Sequence, residues 1–545
     1  MQIHELNAIE GKPGGTDYLA IDTGFDTAKV SANKLLEPKL NRPVLNNQYD
    51  NGAAGQLLRS KGDGSTEWAD YGLPTDAQTA QAINDWLDAH PEATTTVQDQ
   101  SLDYKKIING TLGFVTPEMY GAKGDGVTDD TQAIRDAVNS GCSVIIFSPK
   151  TYLIDPASFI SYAGYTSKVG INIPSGVSII GFGATIQVKQ SVLDTNYVVF
   201  ASDNFRSIAY DANIAWQSNI SISGIKIDGN AGNLSNEKSL TGITFYKCND
   251  TIIENVEMVN LCGTDGGGYG LILAFCNRAI FRNSSINRSS RSNIYCWESQ
   301  YVTCENLTLN GSYDRDCVTC SANETLALQK SIIYFNNCHM EHLYNTGTHV
   351  ARFPKDVDAV MENCTLIGNS NVDGIAIPRS AGSVNLVVRN CSVKDCTVGV
   401  NATGQNTYTR LVLENNSISG DDAINLLSIH ELQMRGNFFE SVNPTPNQNT
   451  NVSYCTKAFV SGNVFKGFVG IVFNTSDIKE IINNAFIGFT ASPYWLLLTG
   501  DGYVIFMGNY ADDATKYARA YCTGKAIGNH IKVESTTLDT SQYNS

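Results

Sequence analysis

The sequence predicts an all-β chain folded mainly as a parallel β-helix, and three observations carry that reading. A motif recurs: "IIENVEMVN" at Ile252, "IFRNSSINR" at Ile280, "VMENCTLIG" at Val360, "VVRNCSVKD" at Val387 and "VLENNSISG" at Val412 each set an Asn between two stretches of alternating apolar residues. The marker residues Asn255, Asn283, Asn306, Asn337, Asn363, Asn390, Asn415, Asn437, Asn463, Asn484, Asn509 and Asn529 are regularly spaced, with Asn509 to Asn529 the shortest step and Asn306 to Asn337 the longest. Within each repeat the apolar period is two and β-branched residues are prominent, which fits neither the 3.6 period of an α-solenoid nor the Leu spacing of a leucine-rich repeat.

One coil per repeat follows, each about 4.8 Å above the last. Asn suits the bend between two strands because it tolerates left-handed backbone and its amide can bond the Asn of neighbouring coils. Cys338, Cys364 and Cys391 each follow a marker Asn and are expected to stack in one inward column. Fourteen cysteines spread over so long a chain read as reduced and buried, not as a disulfide framework. Cys317 and Cys320 in "DCVTC" have the spacing of a zinc or redox pair, but no second pair follows, so packing is the simpler reading and no metal is expected.

The elements before the coils read in order. Asp17 to Leu36, "DYLAIDTGFDTAKVSANKLL", suggests a strand-turn-strand unit, and "GQLLRSKGDGSTEWADYG" after it is rich in turn residues. Thr75 with Gln78 opens a helix at about 75–89, whose stripe of Ala80, Ile83, Trp86 and Leu87 ends before Pro91. That stripe has little local core to bury it, which implies self-association of copies around an axis.

Just before the coils, "GDGVTDDTQAIRDAVNSG" predicts a helix with Thr128 as N-cap, Asp129 and Asp130 in its first turn and Ile134, Ala137 and Val138 as its buried stripe. The run lacks the ligand spacing of an EF-hand and the Gly-Lys-Ser/Thr of a P-loop. A helix there has a task, since the first coil exposes an open edge and an open core. "SVIIFSPKTYLI" and "VSIIGFGATIQV" then read as the first buried strands.

Charge narrows the partners. With 54 acidic against 38 basic residues, a net of −16 and no basic block, nucleic acid and anionic membranes are disfavoured. No basic-then-apolar leader opens the chain and no run of about 18 apolar residues is present, so a soluble protein without Sec-type export or membrane insertion is expected.

Carboxylates that line up along one face are the candidates for chemistry. "DCV" at Asp316, "DGI" at Asp373 and "DAI" at Asp422 open strands in alternate coils, about 9 to 10 Å between neighbours. That lies at the upper edge of the carboxylate separation of an inverting glycosidase. Asp314, and Glu298 beside Trp297, whose flat face suits stacking on a sugar ring, are further candidates. His349 with Arg352 in "THVARF" offers a base and a clamp for an acidic sugar. The alternative for each Asp is structural, since an Asp at a strand start also caps turns and holds backbone amides. His339 and His342 in "CHMEH" would face opposite ways on a strand, which argues against a metal pair.

Together, "YGAKGDGVTDDTQAI", "VIIFSPKTYLI" and "IIGFGATI" resemble the capped entry of the pectate-lyase-like superfamily of right-handed β-helices, over Phe114 to about Ile531. "DYLAID", "TAKVSANKLL" and "WLDAHPEATTTVQDQSLDYKKI" resemble the particle-attachment and neck segments of phage tail fibres and tailspikes, over roughly the first 110 residues. "NVDGIAI" and "SGDDAI" are similar to two polygalacturonase elements, two repeats apart here where that family has about one. By that resemblance Asp373, Asp421 and Asp422 would protonate the leaving oxygen and activate water.

These resemblances imply an attachment domain at 1–50, a neck at 51–112, a β-helix at 113–531 and a polar tail at 532–545. They imply a homotrimeric virion tail protein, assembled in the host cytoplasm, that binds phage tail or baseplate proteins and an unidentified bacterial surface polysaccharide. They further imply that it cleaves the polysaccharide as an endo-acting glycoside hydrolase without a cofactor. A polysaccharide lyase and a receptor-binding fibre without catalysis are the alternatives.

Overall fold

The computed structural model describes residues 113–539, apart from loop stretches that include 231–239, 262–267, 312–315, 322–329, 344–347, 404–408 and 443–449, and four strands within the first 112 residues. The chain divides into two units, Met1–Leu102 and Asp103–Ser545. In the first, Tyr18–Asp22 pairs antiparallel with Thr27–Ser31, the strand-turn-strand read from the sequence. Gln56–Ser60 pairs antiparallel with Thr66–Asp70, so the stretch "GQLLRSKGDGSTEWADYG", rich in turn residues, contains two strands. The helix expected at about 75–89 lies outside the described residues.

The second unit is a parallel β-helix of three sheets. Sheet A collects the strands before each turn Asn, such as Val357–Glu362, Val384–Arg389 and Thr409–Glu414. Sheet B collects those after it, such as Thr365–Ile367, Ser392–Lys394 and Ser417–Gly420. Sheet C closes each coil with strands such as His349–Arg352, Asp373–Ile377, Val398–Thr403 and Asp422–Leu427. Alternation puts one residue of each pair into a continuous core that runs from Val115 to Ala526. The strand Val384–Arg389, for example, buries Val384, Leu386 and Val388 while Arg389 is exposed.

The turn chemistry explains the marker residues and divides them. Asn255, Asn283, Asn306, Asn337, Asn363, Asn390 and Asn415 hold φ between 50° and 55°, the left-handed conformation that Asn tolerates. In later coils Gly436, Gly462 and Gly508 take that position. Asn437, Asn463, Asn484, Asn509 and Asn529 stand one residue further on, in an interior column. The twelve markers therefore form two columns, not one.

The interior column runs from Val256, Ser284 and Leu307 to Cys338, Cys364 and Cys391, the cysteines buried and stacked as expected, the Cys364 N–H meeting Cys391 Sγ at 3.4 Å. From Asn416 onward it is an amide ladder. Asn416 Nδ2 donates to Asn437 Oδ1 at 2.9 Å, Asn437 Nδ2 to Asn463 Oδ1 at 2.8 Å, and so on through Asn484 and Asn509 to Asn529. Each Nδ2 also reaches a main-chain carbonyl of an earlier coil, as Asn437 does to Leu413 at 2.8 Å. Burial of so many amides is tolerable only because each is satisfied.

The capping helix spans Thr131–Val138, later than predicted, and its N-cap position is Asp130, not Thr128. Asp129 belongs to the strand Asp125–Asp129 and not to the helical turn. All three aspartates grip backbone: Asp125 accepts from Val127 and Thr128, Asp129 from Thr131, and Asp130 from Lys123 and Gly124. The competing Asx-type turn at Asp125 delays the helix. Ile134, Ala137 and Val138 are buried as expected. Arg135 fixes the helix to the first coil by donating to the carbonyls of Gly170 and Ser158.

At the other end stacking passes beyond residue 531. Lys532–Ser535 pairs with Tyr517–Ala520, and Leu538–Asp539 with Gly524–Ile527, so the stretch read as a tail contributes strands.

Candidate functional site

Register fixes which outward residues of sheet C meet. His349 pairs with Asp373, and Val398 with Asp422. Asp316 precedes Val318 and Thr319, which pair with Ala351 and Arg352, and so falls level with His349. The pairing of Ile375 with Val400 sets Asp373 beside Val398. The column thus reads Asp316, His349, Asp373, Val398, Asp422 over five successive coils. The three aspartates do occupy alternate coils, and an imidazole fills the first gap.

A glycine lets the column form. A Cβ on Gly374 would lie 2.4 Å from Val393 Cγ1 and 2.5 Å from the Gly399 carbonyl oxygen. Without one, the strand turns inward directly after Asp373 and leaves that carboxylate on the outer side.

Asp316 is buried, its side chain only 2 % exposed. Oδ1 accepts from Thr348 Oγ1 at 2.8 Å and lies 2.9 Å from His349 Nδ1, while Oδ2 accepts from Thr319 Oγ1 at 2.8 Å. Burial pushes this carboxyl up, but the bond and charge of His349, with the two threonines, outweigh it and hold Asp316 below the usual carboxylate range. A charged Asp316 places the imidazole proton on Nδ1. Nε2 then faces Asp373, whose Oδ2 is 4.0 Å away.

Asp373 differs from Asp316 in kind. Burial pushes its carboxyl above the usual range, and the Asn401 Nδ2 bond to Oδ2 at 2.8 Å and the His349 charge only partly offset that. Asn401 is itself held by Asn425 Nδ2 at 3.1 Å. The column therefore joins a carboxylate that stays ionised to one that keeps its proton longer, with an imidazole between them.

Aromatic residues continue the same outer face. Tyr295 pairs in register with Thr319, and Thr319 with Arg352. Ring centroids are 5.2 Å apart for Tyr269 and Tyr295, 5.8 Å for Tyr295 and Trp297, and 6.2 Å for Phe275 and Trp297. Burial, then Tyr269, pushes the Tyr295 hydroxyl up to about 12, against the pull of Ser321, Arg291 and Arg352. Arg352 Nε is buried without a hydrogen-bond partner among the described residues.

Other candidates are placed differently. Glu298 is fully buried at a corner, with φ of 47°, and has no exposed surface for a sugar. Asp421 is half-buried, and its N–H bonds the Cys396 carbonyl at 2.9 Å. Asp314 lies outside the described residues. His339 is partly exposed and His342 buried. Cys317 and Cys320 are buried in the core, Cys320 stacking on Cys296. Thr319, Thr348 and Asn401 support the column without having been singled out in the sequence. The repeat register was the signal for Thr348 and Asn401, each one coil from the residue it bonds, while Thr319 bonds Asp316 within a single coil, three residues along.

Residues 115–347 match the family described as Rhamnogalacturonase A/epimerase, pectate lyase-like. The coil domain is a right-handed, pectate-lyase-like β-helix. A 56-residue stretch is 45 % identical to "Depolymerase 1, capsule KN3-specific" of Klebsiella phage KN3-1, covering 9 % of this chain and 7 % of that protein. A 156-residue stretch is 28 % identical to the pre-neck appendage protein of Bacillus phage phi29, covering 27 % and 16 %. The chain thus spans less than a fifth of either relative's length. Among solved structures, the A-module of the Azotobacter vinelandii mannuronan C-5 epimerase AlgE6 is 14 % identical, with a TM-score of 0.43 over 78 % of this chain and 97 % of that one.

Proposed function

We propose that this chain is a phage tailspike that binds a bacterial surface polysaccharide and depolymerises it by hydrolysis on the outer face of sheet C. In this reading the chain is a homotrimer, residues 1–50 attach it to tail or baseplate proteins, 51–112 form the neck, and the β-helix carries the chemistry. The stretches similar to phage depolymerases and an appendage protein support the setting. The observation that carries the reaction is the column Asp316, His349, Asp373, Val398, Asp422.

Asp373, whose carboxyl burial pushes above the usual range, is the general acid that protonates the glycosidic oxygen as the C–O bond breaks. Asp422, two coils on and so about 9 to 10 Å away by backbone, with Asp421 beside it, takes the proton of a water that attacks the anomeric carbon from the opposite face. That separation leaves room for the water and predicts inversion. His349 Nε2, next to Asp373, returns a proton after each turnover, and Asp316 positions the imidazole without touching the substrate. Trp297 and Tyr295 stack on sugar rings.

Incubation with host capsule or cell-wall glycan tests this. New reducing ends that disappear in Asp373→Asn and Asp422→Asn, with glycan binding retained, support it. Intact binding without new ends would leave a receptor-binding fibre. Arg352 favours one second reading, a lyase in which its guanidinium neutralises a uronate and His349 removes the α-proton. Unsaturated uronates absorbing in the ultraviolet would identify it.

A further inference from the structure

The outer face of sheet A carries three columns, because strand positions two apart share a face. In the C-terminal coils one edge column is Arg410, Glu431, Lys457, Ile478, Tyr503 and the other is Glu414, Arg435, Ser461, Ile482, Met507, in continuous parallel register. Tyr503 and Met507 are 44 % and 37 % exposed, and Phe459 and Ile505 stand in the column between the edges. The two edges of one strand lie four residues, about 13 Å, apart.

Rotation about an axis parallel to the coil stack brings one edge of a copy against the opposite edge of the next copy at the same height. In these coils every level but that of Lys457 and Ser461, a charge beside a hydroxyl, then matches. Arg410 meets Glu414, Glu431 meets Arg435, Ile478 meets Ile482, and Tyr503 meets Met507. In the preceding coils three levels set like charges together, since Asp250 would meet Glu254, Arg278 would meet Arg282, and Asp358 would meet Glu362, while Tyr301 with Glu305, Ile332 with Asn336 and Asn385 with Arg389 offer no charge match.

We propose that sheet A of the C-terminal coils is a contact face between copies of this chain, in register and related by rotation, while the N-terminal coils splay apart. Like charges repel where they cannot be paired and opposite charges set the register, so the edges select this partner as well as attract it. The five coils span about 20 Å by about 13 Å, less than the surface a stable interface buries by itself, so the face adds to other contacts. The proposal is independent of whether the glycan is cleaved.

Cysteine cross-linking of the full chain tests it. In the double variant Lys457→Cys/Ser461→Cys the two thiols of one chain are too far apart to bridge each other. Mild oxidation is expected to give covalent dimers and higher species on a non-reducing gel, while Arg278→Cys/Arg282→Cys and the unsubstituted chain stay monomeric there. Tyr503→Lys/Met507→Lys is expected to weaken association roughly tenfold by light scattering, with an unchanged circular dichroism spectrum showing that the coils are intact. A monomeric mass for the unsubstituted chain, absence of the 457/461 product, or equal cross-linking at 278/282 would each overturn the proposal.

Discussion

His349 Nδ1 lies 2.9 Å from the buried carboxylate of Asp316, one coil before it in the same column. That contact turns two residues 33 positions apart in the chain into a unit, and it makes Asp316 depend on its partner. Truncating His349 leaves a buried carboxylate with two hydroxyl donors and without the imidazole N–H.

His349→Ala is therefore expected to cost about 3 kcal/mol of stability near neutral pH, the magnitude found when one partner of a buried pair is removed. Adding Asp316→Asn should restore part of it. A double-mutant cycle in urea measures the coupling, and additive effects would show that the pair does not interact.

The two carboxylates pull the pH dependence of stability in opposite directions. Asp316 is held below its unfolded value, so its contribution is present above that value and lost as pH falls through the lower folded one. Asp373 is raised, so the folded chain binds its proton more tightly, and its contribution falls as pH rises from the unfolded value through the folded one. Asp373→Asn should remove only the second trend. Its activity should fall by roughly 10² to 10⁴, as expected for a lost general acid, and the basic limb of the rate profile should vanish with it. Midpoints of urea unfolding across pH, beside initial rates, separate the two effects.

Gly374→Ala touches no candidate reacting group, yet it should impair the site. The added methyl meets Val393 Cγ1 and the Gly399 carbonyl oxygen at distances a Cβ does not tolerate. The strand must shift and carry Asp373 with it. Expected are a stability loss of about 1 to 3 kcal/mol and a fall in kcat larger than the change in KM. Unchanged kcat would mean that the position of Asp373 is not critical.

Asn437→Ala interrupts the amide ladder and leaves Asn416 Nδ2 without its partner oxygen. A loss of about 1 to 3 kcal/mol is expected, the cost of unsatisfied buried groups. Asn437→Asp should cost more above the carboxyl titration range, because a charge would then sit in the core. Thermal unfolding at two pH values distinguishes them.

Period-two alternation and the regular Asn were enough to read the coil architecture, since each coil repeats the same local choices. The start of the capping helix was not readable in the same way. Thr128 is a good N-cap in isolation, but Asp125 captures its N–H and hydroxyl first. The continuation of Asn415 into Asn437 also misled, because Gly436 assumes the left-handed position and displaces the Asn inward by one residue. At the site, repeat counting placed Asp316, Asp373 and Asp422 on alternate coils. It did not reveal that His349 bridges the first two, since "THVARF" contains no marker Asn and only strand register aligns it. Burial of Glu298 was likewise invisible, because a charged residue beside a Trp reads as a surface pair until its corner geometry is known.

The ladder from Asn416 to Asn529 gives every coil the same bonding offer to the coil above and the coil below. A whole coil added to or removed from this stretch would leave each amide with an equivalent partner. In this region the natural unit of variation is thus a coil and not a residue. Such a change would lengthen or shorten the rod beyond Asp422 in steps of about 4.8 Å and leave the acid column as it is.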